Sequence, residues 1–320
     1  SWRTSIMPNF QGVWSLTTQY KNVNSWPNPP STVYGMFFGG YGANSGNPKI
    51  NNQINFSSLG NATLTGELSV QRAFAAQGSS TRAVISSFRN SANAGINLIE
   101  YVTFATNGDG VDFGDLTVAR WAGGCVGNKT RAVFCGGFPV SGPSSNVLDY
   151  ITIASTGNAT DFGDALSGEG NVGAVSSPTR GVMKIGSTNV LEYITTATTG
   201  NSTDFGDTTS TYYAPMGASS STRGLFAGGM KIPSYAYRIE IDYITIATTG
   251  NAIDFGDMTV ARQNYNSGAS DSTIAVFAGG VDVNSMEKVT IASLGNGIDF
   301  GDLTVGCNVT GTSSGHGGLQ

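Results

Sequence analysis

Residues 243–262 read YITIATTGNAIDFGDMTVAR, and closely similar stretches begin at residue 150, as YITIASTGNATDFGD, and at residue 193, as YITTATTGNSTDFGD. The glycine of the F-G-D triplet is a fixed anchor for comparing the copies. It recurs as Gly114, Gly163, Gly206, Gly256 and Gly301, with a degraded copy at Gly66. Successive anchors lie 48, 49, 43, 50 and 45 residues apart, so the chain contains six units. A period of this length is typical of solenoids and propellers.

Each unit carries the pattern of two β-hairpins. In residues 243–262, YITIA is rich in β-branched and aromatic residues, T-G-N supplies a tight turn, and DFGDMTV provides the next strand. Upstream, GLFAGG at 224–229 predicts the second strand of an earlier hairpin. Four short strands per unit predict an all-β fold, a six-bladed β-propeller with one four-stranded blade per unit. A β-solenoid is the alternative, although its repeats are shorter.

The ends of the chain predict how the ring closes. Residues 1–30 form a linker with a short helix, and residues 31–320 form the propeller. The predicted blades are 31–70 together with 307–320, then 71–119, 120–168, 169–211, 212–261 and 262–306. The first unit lacks its own first strand, and the chain end stands where the first strand of a seventh unit would be. We therefore expect the C-terminal strand to complete the N-terminal blade, which removes an open sheet edge.

Alternating strand direction gives the propeller two different faces. The turns after the first and third strands lie on one side, which we call the constant face because its turns repeat with little change. The loops after the second and fourth strands lie on the opposite side, the variable face. Both ends of the propeller are expected on the constant face. Binding is expected on the variable face, because variable loops on a rigid scaffold are where binding usually occurs.

Composition excludes several classes of function. A net charge of −5 without a basic run argues against nucleic-acid binding. No stretch is apolar over the length of a membrane helix, so membrane insertion is not expected. Three cysteines without a CxxC pair and a single histidine predict no zinc site, and no cofactor is expected. The odd cysteine count disfavours a disulfide between Cys125 and Cys135. No catalytic motif is present and the protein is not expected to be an enzyme, although a carboxylate pair for glycoside hydrolysis stays open.

Two sets of repeated charged residues are candidates for an ion-binding site. Paired aspartates flank the F-G-D glycines: Asp112 and Asp115, Asp161 and Asp164, Asp204 and Asp207, Asp254 and Asp257, Asp299 and Asp302. We interpret them as structural, one capping a turn and the other bonding the neighbouring blade's backbone, with calcium binding as the alternative. Arginines follow the first turn in four units: Arg82, Arg131, Arg180 and Arg223. Pairing with aspartate or stacking on an aromatic ring between blades is favoured over a ring-shaped anion site.

The binding candidates lie in loops of the variable face. The segment MKIPSYAYR at 230–238 combines Lys231, Tyr235, Tyr237 and Arg238, residue types that are favoured at interaction hot spots and, for tyrosine, for stacking on sugars. Loops of other blades add Tyr41, Arg89 and Phe138. Contact with an adjacent subunit or simple loop packing is the alternative for this segment.

The repeat resembles kelch-type propeller blades. The double glycine that closes the second strand, the aromatic residue of the third strand and the arginine after the fourth strand (Arg72, Arg120, Arg262) carry this resemblance. Two features depart from it: phenylalanine replaces the tryptophan expected in the fourth strand, and the glycine pair is lost at 86–87 and 185–186. The resemblance implies a fold and no function.

A second resemblance concerns the whole chain. The junction GVWSLTTQY followed by W-P within residues 10–30, the wording of the repeat and the end SGHGGL are similar to tail-fibre and other virion structural proteins of bacteriophages, notably marine ones. In the junction, Ser15 is expected to cap a helix over residues 16–22, and Trp14, Tyr20 and Trp26 to dock on the propeller or a neighbour.

The phage resemblance implies a place on a virion. Residues 1–30 would contact other virion proteins, and the variable loops would bind a host-surface glycan or protein. A homo-oligomer is possible. The alternatives are a capsid or tail decoration without a receptor role and, third, an enzyme that degrades polysaccharide.

Removing the C-terminal strand is expected to destabilise the propeller severely. A chain truncated after Val305 lacks the strand that completes the first blade, and it leaves an unpaired sheet edge where the ring should close. A thermal melt followed by circular dichroism checks this expectation. A truncated protein that melts at the temperature of the intact chain would contradict the predicted closure.

Overall fold

The computed structural model describes residues 33–42 and 46–319. In these residues the chain is nearly all β, with six antiparallel sheets of four main strands arranged in a ring. The predicted fold class, a six-bladed β-propeller, is therefore confirmed. The predicted junction segment, including the helix over residues 16–22, lies outside the described residues.

The strands of the first three blades follow the chain in order. Blade one contains β1 (Tyr34–Tyr41), β2 (Ile50–Asn55) and β3 (Thr63–Glu67), and blade two contains β4 (Ala75–Gly78), β5 (Arg82–Ser86), β6 (Ile96–Thr103) and β7 (Val111–Trp121). Blade three contains β8 (Gly124–Gly127), β9 (Arg131–Cys135), β11 (Val147–Thr152) and β12 (Thr160–Asp164), with β10 (Phe138–Pro139) in its loop pairing with β7.

The remaining strands repeat this plan. Blade four contains β13 (Gly173–Ser176), β14 (Arg180–Lys184), β15 (Val190–Thr195) and β16 (Thr203–Asp207), and blade five contains β18 (Met216–Ser219), β19 (Arg223–Ala227), β21 (Glu240–Thr245) and β22 (Ile253–Asp257). A short ribbon of β17 (Tyr212–Tyr213) and β20 (Met230–Lys231) lies beside them. Blade six contains β23 (Gly268–Ser270), β24 (Ile274–Ala278), β25 (Ser285–Thr290) and β26 (Ile298–Asp302), and the chain ends with β27 (Asn308–Ser313) and a 3-10 turn (Gly317–Leu319).

The C-terminal strand closes the ring as expected. β27 pairs antiparallel with β1, with Gly35 opposite Ser313 and Phe38 opposite Thr310, and so becomes the innermost strand of blade one. The six innermost strands pack side by side in the order β27, β4, β8, β13, β18 and β23, and β23 returns to β27. β27 ends where β1 begins, on the constant face.

Each T-G-N turn docks on the fourth strand of the preceding blade. Between blades two and three, the Gly157 N–H donates to the Phe113 carbonyl at 2.8 Å. The Ala159 N–H donates to the Asp115 carbonyl at 2.7 Å. The side-chain oxygen of Asn158 accepts from the Asp115 N–H at 3.1 Å. Equivalent bonds recur around the ring, with an aspartate in place of the asparagine at one interface.

These bonds correct the expected role of the paired aspartates. The bond to the neighbouring blade is made by the backbone of the second aspartate, and the side chain that contributes is the asparagine of the neighbouring turn. The first aspartate of one pair behaves as expected, since the Asp112 carboxylate accepts from the Gly114 N–H at 3.2 Å within its own hairpin.

The anchor glycine leaves no room for a side chain. A Cβ atom placed on Gly114 would lie 2.4 Å from the carbonyl oxygen of Gly157 in the next blade, and one on Gly256 would lie 2.5 Å from that of Gly295. The same contact joins all six pairs of blades, and at the closure Gly301 meets Gly60 at 2.4 Å. The fixed spacing of the repeat is thus required by contact between adjacent blades.

The repeated arginines stack as expected. Arg82, Arg131, Arg180 and Arg223 lie 4.3–4.6 Å from the ring centres of Tyr101, Tyr150, Tyr193 and Tyr243. Each also donates to a backbone carbonyl of the following blade. Blade one has no such arginine–tyrosine pair, and there Gln53 donates to the Phe104 carbonyl of the next blade at 3.2 Å. Within the described residues, the arginines are therefore structural staples between blades.

A third ring of contacts was missed from the sequence. One buried polar residue stands in the third strand of every blade, directly before the tyrosine position: Asn52, Glu100, Asp149, Glu192, Asp242 and Glu287. Each accepts a hydrogen bond from the preceding blade, from the segment after its fourth strand or, for Asp149, from the fourth strand itself. Asp149, for example, accepts from the N–H and hydroxyl of Thr117, both at 2.9 Å. Burial is the main cause that raises the pKa of Glu100 and of Glu192.

A methyl group at an anchor glycine should disrupt one interface. Gly256→Ala places its Cβ against the next blade, whereas Gly250→Ala has a similar backbone φ, +155° against +146°, and open space around the new Cβ. We expect Gly256→Ala to lower the free energy of unfolding by about 1–3 kcal/mol more than Gly250→Ala does, the usual cost of overpacking. Urea unfolding of both variants measures the difference. Equal losses of unfolding free energy would show that the close contact with Gly295 does not restrict the residue at position 256.

Candidate ligand-binding face

Aromatic side chains gather on the variable face. We call this surface the aromatic face. It comprises Tyr41, Phe74, Trp121, Phe138, Tyr213, Tyr235, Tyr237 and Tyr265, together with Arg72 and Arg89. All of these residues lie at the ends of second or fourth strands or in the segments that follow them, at the end of the propeller opposite the T-G-N turns.

An extension of blade two builds one part of this face. β7 runs on to Trp121, where β10 pairs with it and places Phe138 directly opposite. The two rings lie 5.0 Å apart between centres. The preceding residue, Arg120, is fully buried and forms an ion pair with Asp149 at 3.1 Å. A buried charge pair thus fixes the strand whose next residue presents the indole ring.

Ring contacts link three of these aromatic side chains on the variable face. Phe74 lies 5.8 Å from Trp121, and it meets Tyr265 edge to face at 4.9 Å between ring centres. Phe74 stands directly before β4 and Tyr265 three residues before β23, the inner strands on the two sides of β27. The contact between Phe74 and Tyr265 therefore joins the segments that lead into these two inner strands on the variable face.

The loop over residues 230–238 forms the outer part of the face. Its base is held by the β17–β20 ribbon, in which the Tyr213 hydroxyl donates to the Met230 sulfur at 2.8 Å. Tyr235 is 65% exposed and Tyr237 is 45% exposed. Burial raises the pKa of Tyr265 to about 12, and the neighbouring Tyr213 and Tyr237 hydroxyls add to the rise.

Two residues of the loop differ from their expected role at the surface. Arg238 is only 1% exposed, stacks 3.7 Å from the Tyr212 ring centre and pairs with Asp242 at 3.3 Å. Burying a guanidinium requires such counter-charges, so Arg238 anchors the loop and offers no surface for a ligand. Lys231 is partly exposed, but its ammonium pairs with Glu240 at 2.5 Å.

The other predicted residues do meet on this face. Arg89 stacks 4.1 Å from the centre of the Trp121 ring. Tyr41 is 40% exposed, and the guanidinium of Arg72 stacks 4.8 Å from the centre of its ring. The aromatic face therefore combines ring surfaces with two guanidinium groups.

The propeller axis itself offers no room for a ligand. A cavity of about 30 Å³, lined by all six blades, is large enough for no more than a few water molecules. At the constant face it is closed by His316. Because the Gly78 carbonyl can only accept, His316 Nε2 donates to it at 2.6 Å, and Nδ1 accepts from the Gly318 N–H at 3.0 Å. The ring is therefore neutral, and burial lowers its pKa to about 4.

Small polar pockets also lie beside the repeated turns. Three of them, of about 210–260 Å³, are formed by the outer hairpins of blades one, three and four. Each contains a single tyrosine among hydroxyl, amide and backbone groups, which makes these pockets weaker candidates than the aromatic face.

Four members of the aromatic face were missed from the sequence: Phe74, Trp121, Tyr213 and Tyr265. They stand at the end of a fourth strand or in the link after one, whereas the predicted binding residues all stand at or after the ends of second strands. A signal was present, since an aromatic residue follows the anchor glycine by seven to nine positions in four of the six units.

All three cysteines are free and buried. The described residues contain no group of three or more His, Cys, Asp or Glu side chains placed to bind a metal ion. In residues 33–42 and 46–319 no helix has the length and apolar character of a membrane span. No protein-family model matches the chain, and no curated protein matches it significantly. The chain is thus defined by its fold, a six-bladed β-propeller consistent with a kelch-like repeat.

Acidification is expected to destabilise the propeller through His316. The unfolded chain takes up a proton near pKa 6.5 and the folded chain only near pKa 4, so protonation between these values favours unfolding. The loss at pH 5 relative to pH 8 is about 2 kcal/mol for this group. His316→Gln should therefore show a smaller drop in melting temperature between pH 8 and pH 5 than the unchanged protein. Equal drops in the two proteins would contradict the assignment.

Proposed function

We propose that the aromatic face binds carbohydrate and that the protein is an attachment module of a bacteriophage virion, in a tail fibre or related appendage. The observation that supports this most strongly is the convergence of aromatic rings from five blades at one end of the propeller. Tyrosine and tryptophan rings stack on the apolar faces of sugars while their polar atoms stay in contact with water.

The exposure of two of these rings supports binding over simple core formation, although Phe74 itself is buried. The repeated rings of the blades, such as Phe255 and Phe205, are buried between sheets. Tyr235 and Tyr237 instead remain largely exposed on a loop whose base is fixed by the buried Arg238. Rigid, exposed aromatic side chains lose little conformational entropy when a ligand binds, which favours affinity.

The direction of the chain fits an attachment role. β1 begins on the constant face, so its first residue, Tyr34, lies at the end of the propeller opposite the aromatic face. The link to phage proteins rests on the resemblance of the repeat and of the junction sequence.

One observation favours a purely structural role as the second candidate. Leu59, Ile253, Leu294 and Ile298 are more than half exposed at the turns and outer strands of blades one, five and six. Exposed apolar side chains of this kind suit contacts between virion subunits. A decoration or assembly protein would use this rim and leave the aromatic face without a ligand.

Binding to bacterial surface polysaccharides tests the proposal. Purified protein is expected to bind intact cells or an array of their polysaccharides, and Tyr237→Ala should weaken binding by about 30-fold if the ring is a hot spot worth about 2 kcal/mol. Leu59→Ala, which removes an exposed apolar side chain from the opposite face, is the matched control.

Three outcomes separate the candidates. Equal binding by both variants would reject the aromatic face as the site. Absence of binding to every polysaccharide would leave the structural role as the better description. Release of soluble sugar from a polysaccharide would instead indicate an enzyme.

A further inference from the structure

Two arginines of the aromatic face lie side by side. The Arg89 N–H donates to the Arg72 carbonyl at 3.1 Å, so their backbones are directly linked. Asn93 joins the two side chains, since its amide oxygen accepts from Arg72 at 2.5 Å and its backbone carbonyl accepts from Arg89 Nε at 3.0 Å. Burial lowers the pKa of Arg72, and the positive charge of Arg89 lowers it further.

No carboxylate among the described residues pairs with Arg72 or Arg89. The ion pairs between described residues involve other cations: Arg120, Lys231, Arg238 and Arg262. The segments that the structure does not describe, residues 1–32, 43–45 and 320, contain no Asp or Glu. Two adjacent positive charges on a protein of net charge −5 are therefore left without an anionic partner in the described structure.

The guanidinium groups are positioned and only partly used. Arg72 is held by the Asn47 and Asn93 side chains at 2.6 and 2.5 Å. Of the Arg89 side chain, only Nε donates a hydrogen bond within the protein, and neither terminal nitrogen has an acceptor among the described residues. The structural arginine Arg180 differs, because its terminal nitrogen donates to the Ile246 and Ala247 carbonyls.

The aromatic platforms hold both groups at the surface. Arg89 lies over Trp121 and Arg72 over Tyr41, and both arginines are half-buried. Planar guanidinium groups fixed in this way bind carboxylates through two parallel hydrogen bonds. Adjacent ring surfaces favour a ligand that carries its acid on a sugar ring over an acidic peptide, since the sugar can stack while the acid pairs.

We infer that Arg72 and Arg89 form a subsite for the carboxylate of an acidic sugar, a uronic or sialic acid, within the aromatic face. The inference rests on the proposed function, because it names the chemical class of the glycan. The free terminal nitrogens of Arg89 donate to the carboxylate oxygens, Arg72 adds charge, and the exposed tyrosines contact the neighbouring sugar rings.

The test compares each acidic sugar with its neutral ester. Oligosaccharides of galacturonic, glucuronic and sialic acid, each paired with its methyl ester, are titrated into the full chain by calorimetry. We expect at least one acid to bind 10-fold or more tightly than its ester. Arg89→Gln and Arg72→Gln should remove this preference, whereas Lys129→Gln, which removes an exposed charge on the constant face, should leave it unchanged.

A conservative variant distinguishes binding geometry from charge. Arg89→Lys keeps the charge and loses the planar fork, so it should recover only part of the preference. Melting temperatures of all variants establish that each one is folded, and loss of the preference in a variant that melts normally supports the subsite.

The outcomes separate this inference from the proposed function. If acids and esters bind equally and Tyr237→Ala weakens both, the aromatic face binds glycans and the arginine subsite is rejected. If Arg89→Gln abolishes acid binding while Tyr237→Ala has no effect, the subsite holds and the wider role of the face fails. If a tetraglutamate peptide binds through Arg89 more tightly than every acidic sugar, or no acid is preferred, the inference is overturned.

Discussion

The contact on which the propeller depends is between two glycines of adjacent blades. The anchor glycine of one blade faces the carbonyl of the T-G-N glycine in the next, with no space for a side chain between them. This closeness lets the turn donate two backbone hydrogen bonds to the preceding blade and lets its asparagine accept a third. Any insertion between the turn and the anchor would break this register. The outer hairpin therefore keeps its length in all six units, and variation in length is confined to the opposite face.

The closing interface lacks the arginine contact found at four of the others. Blade six has Ile274 and Lys288 where blades two to five have the stacked arginine and tyrosine. It keeps the two contacts common to all six interfaces, the bond from the Thr304 N–H to Asn52 at 3.1 Å and the Gly301–Gly60 contact, and the pairing of β27 with β1 adds to them. After β27, His316 lines the axial cavity and contacts the Gly78 carbonyl at the end of β4. Closure is thus concentrated in the last residues of the chain.

The sequence predicted the fold and the closure because both follow from local patterns that repeat. It predicted less of the site, since burial there depends on distant residues. Arg238 directly follows the exposed Tyr237 and looks like a surface residue, yet Tyr212 and Asp242 come together around it only in the folded chain. The contact between Phe74 and Tyr265 joins positions 191 residues apart and could not be inferred from spacing. The buried polar residues before the tyrosine position can be recognised in the sequence. The sequence does not show, however, that their side chains accept hydrogen bonds from the preceding blade.

The propeller uses arginine in two ways that geometry distinguishes. At the constant face, Arg82 and its equivalents stack on a tyrosine and donate to carbonyls of the next blade, so their hydrogen-bonding capacity serves assembly. At the variable face, Arg89 also stacks on an aromatic ring, but its terminal nitrogens are left for another partner. Stacking alone therefore does not mark a binding arginine. The distinguishing feature is the set of donors that remain after folding, and by that criterion the part of the chain able to recognise a ligand lies where the repeat is least regular.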